Sequence, residues 1–136
     1  MKITVHSVIE NVENGVSADE PEINIVTLDA DVKESGETLF VRYKEEADGA
    51  RCRTLITATE SGVRLSKTGA IEWDVIFSAG DTVKTVYKIP PYSFDAEVST
   101  KRAELTRTAD GYLIRLVYRM NIGGADKSVN MKMTIK

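Results

Sequence analysis

The sequence predicts an all-β domain, a closed antiparallel up-and-down barrel of about ten strands. Three observations carry this prediction. Turn-type clusters recur at short intervals: Glu13-Asn14-Gly15, Glu34-Ser35-Gly36, Ala47-Asp48-Gly49, Glu60-Ser61-Gly62, Lys67-Thr68-Gly69, Ala79-Gly80-Asp81, Pro90-Pro91, Ala109-Asp110-Gly111 and Gly123-Gly124. The segments between them alternate apolar and polar residues, as strands with one buried face do. No segment sustains a helical period.

The strands follow in order as residues 2–10, 22–33, 37–46, 51–59, 62–67, 70–78, 82–89, 93–107, 111–122 and 127–136. In a hairpin, directly opposed residues have a constant sum of numbers, so the apolar sets of two neighbours must land on one face. The second strand alternates least cleanly, with Ile23, Ile25, Val26 and Leu28. The third and fourth join through Ala47–Ala50, which sets Tyr43 opposite Thr54 and Val41 opposite Ile56. A loop Lys67-Thr68-Gly69 brings Val63 and Leu65 against Ile71 and Trp73, with Gly69 where a type I turn plus G1 bulge needs positive φ. A turn at Ala79-Gly80-Asp81 sets Phe77 opposite Val83, Val75 opposite Thr85 and Trp73 opposite Tyr87. The eighth strand breaks phase. Phe94, Ala96 and Val98 fall on even positions, Ala103 and Leu105 on odd ones, which predicts a β-bulge between Ser99 and Arg102. A two-residue loop Ala109-Asp110 sets Glu104 across from Arg115 as an outer-wall ion pair. A loop Gly123–Asp126 pairs Met120 with Val129, Tyr118 with Met131, Leu116 with Met133 and Ile114 with Ile135.

An even number of strands makes the first and last antiparallel, so they can pair and remove both edges. About eight strands fill their interior with side chains, and a larger barrel leaves more room. The inward set mixes bulky Trp73, Phe77, Tyr87 and Tyr118 with small Ser7, Thr54, Ala58, Thr85 and Ala96, which implies a partly open lumen. The alternative architecture is a two-sheet sandwich, which sequential hairpins disfavour because sandwiches use Greek-key crossovers.

The 136 residues make one domain, residues 1–136, and 42% hydrophobic with 29% charged residues suits an ordered globular chain. A net charge of −3 excludes a strongly basic nucleic-acid footprint, so no nucleic-acid partner is expected. Cys52 stands alone, so there is no disulfide framework, as suits a reducing compartment. The first ten residues read as a strand, not a signal peptide, and no apolar run approaches a membrane span. A cytoplasmic location with no membrane partner is expected.

An ordered set of residues carries a family resemblance across nearly the whole chain. It comprises Ser7-Val8-Ile9-Glu10, Tyr43-Lys44-Glu45-Glu46, Thr54-Leu55-Ile56, Arg64-Leu65 followed by Gly69, Phe77 with Gly80, Tyr87, Thr100, Tyr118-Arg119-Met120 and Asn130-Met131. With its turn spacing, it resembles the YwiB-like bacterial proteins, a domain of unknown function. The resemblance implies a calycin-like barrel, the lipocalin-like architecture of ligand carriers, in a cytoplasmic bacterial protein. It departs at Asp29-Ala30-Asp31-Val32, where a Gly followed by aromatics is expected. The family brings no catalytic residues.

Side-chain chemistry points to binding, and no enzyme activity is expected. His6 is the only histidine and Cys52 has no companion thiol, which argues against a metal site. A Cys-His nucleophile pair is the sharper reading of these two. The bland one makes Cys52 a small inward residue and His6 an outward one. No cofactor motif occurs: the glycines follow turns between strands, not a strand-to-helix junction. Carboxylates at Glu45-Glu46-Asp48 and Asp29-Asp31 suit either a hydrolase or cation site or a solvated barrel rim. Arg51, Arg53, Arg64, Lys67 and Lys84 suit either a phosphate or RNA patch or a solvated outer wall, and no exposed aromatics interleave with them.

The more informative set is internal. Tyr43, Thr54, Thr85, Tyr87 and Tyr118, with Trp73 and Phe77 as wall, form a candidate site for a small, largely apolar ligand. The hydroxyls would orient its polar end. The competing reading is a filled barrel acting through its surface or as a homo-oligomer, with outward Val8, Phe40, Leu55, Ile76, Val86, Leu113 and Val117 as the patch.

Overall fold

A computed structural model describes residues 1–13, 16–17, 20–47 and 49–136. Its elements are all strands: β1 (Lys2–Glu13), β2 (Val16–Ser17), β3 (Glu22–Ser35), β4 (Thr38–Ala47), β5 (Ala50–Thr59), β6 (Gly62–Gly69), β7 (Trp73–Phe77), β8 (Thr82–Ile89), β9 (Tyr92–Arg107), β10 (Tyr112–Ile122) and β11 (Ala125–Ile135). They form one antiparallel sheet in the order β7-β6-β5-β4-β3-β1-β11-β10-β9-β8, with two-residue β2 pairing the end of β1. The ten long strands curl into a nearly closed barrel.

First and last strands pair as an even-stranded meander requires, Ile3 opposite Ile135 and Val5 opposite Met133. The predicted β4–β5 register holds, with Tyr43 opposite Thr54 and Val41 opposite Ile56. The β9–β10 register shifts between Val117 and Tyr118, where Lys101 is the extra residue, so the predicted bulge is present.

Three details differ from expectation. The last hairpin turns on two residues, not four. Gly123 (φ 57°) and Gly124 (φ 86°) both take the left-handed conformation that a type I′ turn demands. Tyr118 therefore faces Val129 and Leu116 faces Met131. The shift is by two residues, so every side chain keeps its face. Second, Gly69 has the expected positive φ, 111°, but not in the turn. It continues β6, opposite Cys52, and a Cβ there would also strike the Arg51 carbonyl, so backbone conformation and close approach both require the glycine. As a result Val63 faces Phe77 and Leu65 faces Val75. Third, β7 and β8 meet through a single bridge, Glu72 with Lys88. That bridge keeps the predicted register, and Thr85 Oγ1 donates to the Asp74 carbonyl at 2.9 Å across the same seam.

The lumen is divided along its length. At the end holding the start of β1 and the ends of β5 and β11, Ile3, Leu39, Ile56, Ala58, Ile114 and Ile135 are wholly buried. Glu34 ties this end together, accepting from Arg107 Nε at 2.6 Å and from the Tyr112 hydroxyl at 3.1 Å. The other end is open, and β3 explains why. Residues Glu22–Asp29 pair only with β1, and pairing with β4 starts at Ala30 opposite Tyr43. Over its first half β3 therefore has one neighbour, the wall splits from β4, and Ile23, Ile25 and Val26 are all exposed. This is the physical origin of the strand's poor alternation.

Two stability predictions concern the packed end. A Cβ at Gly111 would overlap the Ile135 carbonyl, which is backbone and cannot rotate away. Gly111→Ala is expected to destabilise by about 2 kcal/mol in urea unfolding. The Arg107 guanidinium, and then the Tyr112 hydroxyl, hold the Glu34 carboxyl below its ordinary value of 4.5. A lowered folded-state pKa contributes stability above the unfolded value that is lost as pH falls through the folded one. Glu34→Gln should therefore lower the melting temperature slightly at neutral pH, a difference that disappears as pH falls through the lowered folded-state value, as thermal scans across pH can check.

Candidate functional site

In the open half lies a cavity of about 640 Å³. Its most buried lining residues are Phe77, Leu116 and Met133, contributed by β7, β10 and β11 at inward positions. Leu65, Trp73, Tyr118 and Val129 add to the wall, and Asn24 and Val26 of the split β3 edge also line the space. The volume lies in the range of about 300–1,000 Å³ usual for small-molecule sites.

An aromatic cluster organises one side. Trp73 meets Phe77 edge-on, with ring centroids 6.1 Å apart and planes at 85°. Across the β7–β8 seam, Trp73 meets Tyr87 at 5.3 Å and 65°. Phe77 packs on Tyr118 at 4.6 Å. Such tilted contacts set the positive edge of one ring against the negative face of another. Trp73 Nε1 is buried and has no acceptor within the protein among the described residues. A buried donor without a partner costs free energy and marks the place as unusual.

The tyrosines stay protonated throughout the physiological range. Burial pushes the Tyr118 hydroxyl above its ordinary value, with Tyr87 adding to the rise. Burial does the same at Tyr43, with the Glu45 carboxylate adding to it. Tyr87 is also raised by burial, and then by Cys52. Each therefore keeps an O–H donor.

Of the residues proposed from sequence, Tyr43, Trp73, Phe77, Tyr87 and Tyr118 line the cavity. Thr54 and Thr85 do not. Thr54 is buried opposite Tyr43 in the β4–β5 ladder, and Thr85 is at the seam with its hydroxyl committed to the Asp74 carbonyl. Sequence reading missed the charged residues. Glu45, Lys67 and Lys127 all line the cavity. Lys67, assigned to a turn and an outer basic patch, continues β6 with the parity of Val63 and Leu65 and has a side chain only 21% exposed. Glu45 shares the parity of Val41 and Tyr43, and Lys127 that of Val129 and Met131. Parity was the available signal. Lys67 Nζ and Glu45 Oε1 are 3.9 Å apart, a loose pair.

The other chemistry is dispersed. His6 is exposed and does not line the cavity, and buried Cys52 directs Sγ at the Ile71 carbonyl, 3.7 Å away. Among the described residues, no three His, Cys, Asp or Glu side chains group to hold a metal ion. Asp29 pairs with Lys2 at 2.6 Å and Asp31 with Arg42 at 3.4 Å on the exposed wall, while Asp48 lies outside the described residues. Arg115 does face Glu104, but that carboxylate meets Arg102 at 2.9 Å instead. Among the described residues, no helix is long and apolar enough to cross a membrane.

Comparison with known proteins agrees with this architecture. The ywiB protein from Bacillus subtilis, solved as a crystal structure, superposes with a TM-score of 0.74 at 19% sequence identity, covering 99% of this chain and 92% of that one. At that identity the likeness shows the fold alone. A search of the curated proteins finds no match. The family model for a domain of unknown function, DUF1934, matches residues 3–135, nearly the full chain, and the protein belongs to that family.

Proposed function

We propose that this barrel is a binding module that holds a small, largely apolar molecule in its open half. The observation that carries the reading is the lengthwise division of the lumen: one half close-packed, the other an apolar cavity with a few convergent polar groups. Binding sites are built in this way, and a fold that only needed a core would fill both halves. The hydroxyls of Tyr43, Tyr87 and Tyr118 orient the polar end, and Trp73 and Phe77 form the wall. Catalysis has no part in this reading. The cytoplasm is its natural setting, since the only cysteine leaves no disulfide framework.

The test is a titration with N-phenyl-1-naphthylamine, an uncharged apolar dye. Saturable fluorescence enhancement with one dye per chain is expected. Enhancement that never saturates would mean the lumen does not act as a site.

A second reading has one observation of its own. Ile23 and Ile25 are 60% and 65% exposed on the half of β3 that lacks a second neighbour. An unpaired apolar edge favours strand pairing with another chain. Of the outward patch proposed from sequence, Leu55, Ile76 and Val86 are exposed at 41%, 55% and 42%, while Val8, Phe40, Leu113 and Val117 are half-buried.

A further inference from the structure

Three strand positions that point into this barrel carry charge, and all three line the cavity in its open half. An inward strand position is normally apolar, and a charge there costs desolvation unless something compensates it. Val63 and Leu65 precede Lys67 on the inward face of β6; Val41 and Tyr43 precede Glu45 on that of β4; Lys127 lies between Ala125 and Val129 on that of β11. Departures from local pattern of this kind concentrate at functional positions.

Among the described residues the signs do not balance: Glu45 is the only carboxylate on the lining, against two ammonium groups, Lys67 and Lys127. The Glu45–Lys67 separation of 3.9 Å is at the outer limit of an ion pair, and Lys67 is largely withdrawn from solvent. Lys127 lies directly opposite Met120 and Asn11 in its two ladders, neither of them a carboxylate. The lining therefore has an excess of one positive charge above an apolar chamber.

From this we infer that the ligand is an amphiphile with a singly charged anionic head. Lys67 and Lys127 hold the head and the lumen takes the apolar body, with Phe77 beneath it. The inference rests on the reading that the lumen binds a ligand at all. A cationic head would meet two like charges in a partly desolvated space, and a neutral head would leave the excess charge unanswered.

The experiment uses three probes of equal chain length: dodecanoate, dodecanol and dodecylammonium. Each is titrated below its aggregation threshold while the emission of Trp73 is followed. Trp73 is the only tryptophan and lines the cavity, so the signal reports on the site. Dodecanoate is expected to bind about fivefold or more tighter than dodecanol, and dodecylammonium more weakly than either. Lys67→Met should erase the preference for dodecanoate over dodecanol. Glu45→Gln, which removes the competing carboxylate, should widen the preference for dodecanoate over dodecanol. Opposite shifts in two variants separate a charge effect from general damage to the fold. Equal affinity for dodecanoate and dodecanol, or a preference for dodecylammonium, would overturn the anionic-head inference and leave the binding reading intact. Failure of all three probes and of the uncharged dye would overturn both.

Discussion

Phe77→Ala is expected to destabilise the protein by about 4 kcal/mol, and a residue of the open half cut back to alanine by far less. Phe77 is wholly buried, meets Trp73 edge-on and packs on Tyr118, and lies where the packed half meets the cavity. Truncation loses the transfer free energy of the ring and extends the existing void, and the ladder with β6 limits collapse of the strand into it. Met120 is half-buried at the cavity's edge, so Met120→Ala removes fewer contacts and should cost about 1 kcal/mol. Urea unfolding of the two variants measures the difference directly. Equal costs would mean that the lumen is packed alike along its length.

Ser7→Phe should abolish binding of the uncharged dye, by more than about tenfold in affinity, and leave the melting temperature almost unchanged. Ser7 points inward from β1, between Met131 of β11 and Asn24 of β3, and lines the cavity. Overpacking usually costs stability because a close-packed core has no room for added carbons. Here the added ring meets space that already exists, so the cost falls on the ligand. A large loss of stability would mean that this space is not open. Retained dye binding at full stability would place the dye elsewhere.

The sequence made the faces of the strands legible more reliably than their partners. A strand's side-chain period is fixed at two, so Tyr43, Trp73, Phe77 and Tyr118 were placed inward from parity alone. Absolute register depends on the turn. At Gly123-Gly124, loops of two and four residues give the same faces, and only the left-handed conformation of both glycines decides between them. Gly69 has the expected positive φ but lies in a strand, because a glycine needed for backbone approach looks in sequence like a glycine needed for a turn. That error moved Lys67 from the lumen to the outer wall, and with it went the charged part of the site. The transfer of β3 from β1 to β4 left only a blurred alternation over Ile23–Leu28. Which pairings exist is a tertiary property that local pattern does not encode. The seam between β7 and β8 was equally hidden, since its register matches a full ladder at Glu72 and Lys88 and yet only one bridge forms.

Under the proposed binding function, the open half of this barrel is occupied in the cell. Native mass spectrometry of the protein purified from its own cells without detergent, followed by denaturing release, is the measurement that decides this. The account predicts an excess mass of one small molecule per chain that departs on denaturation, with the released species ionising as a singly charged anion. The mass of the bare chain under the gentlest conditions, together with no saturable uptake of the uncharged dye, would contradict it.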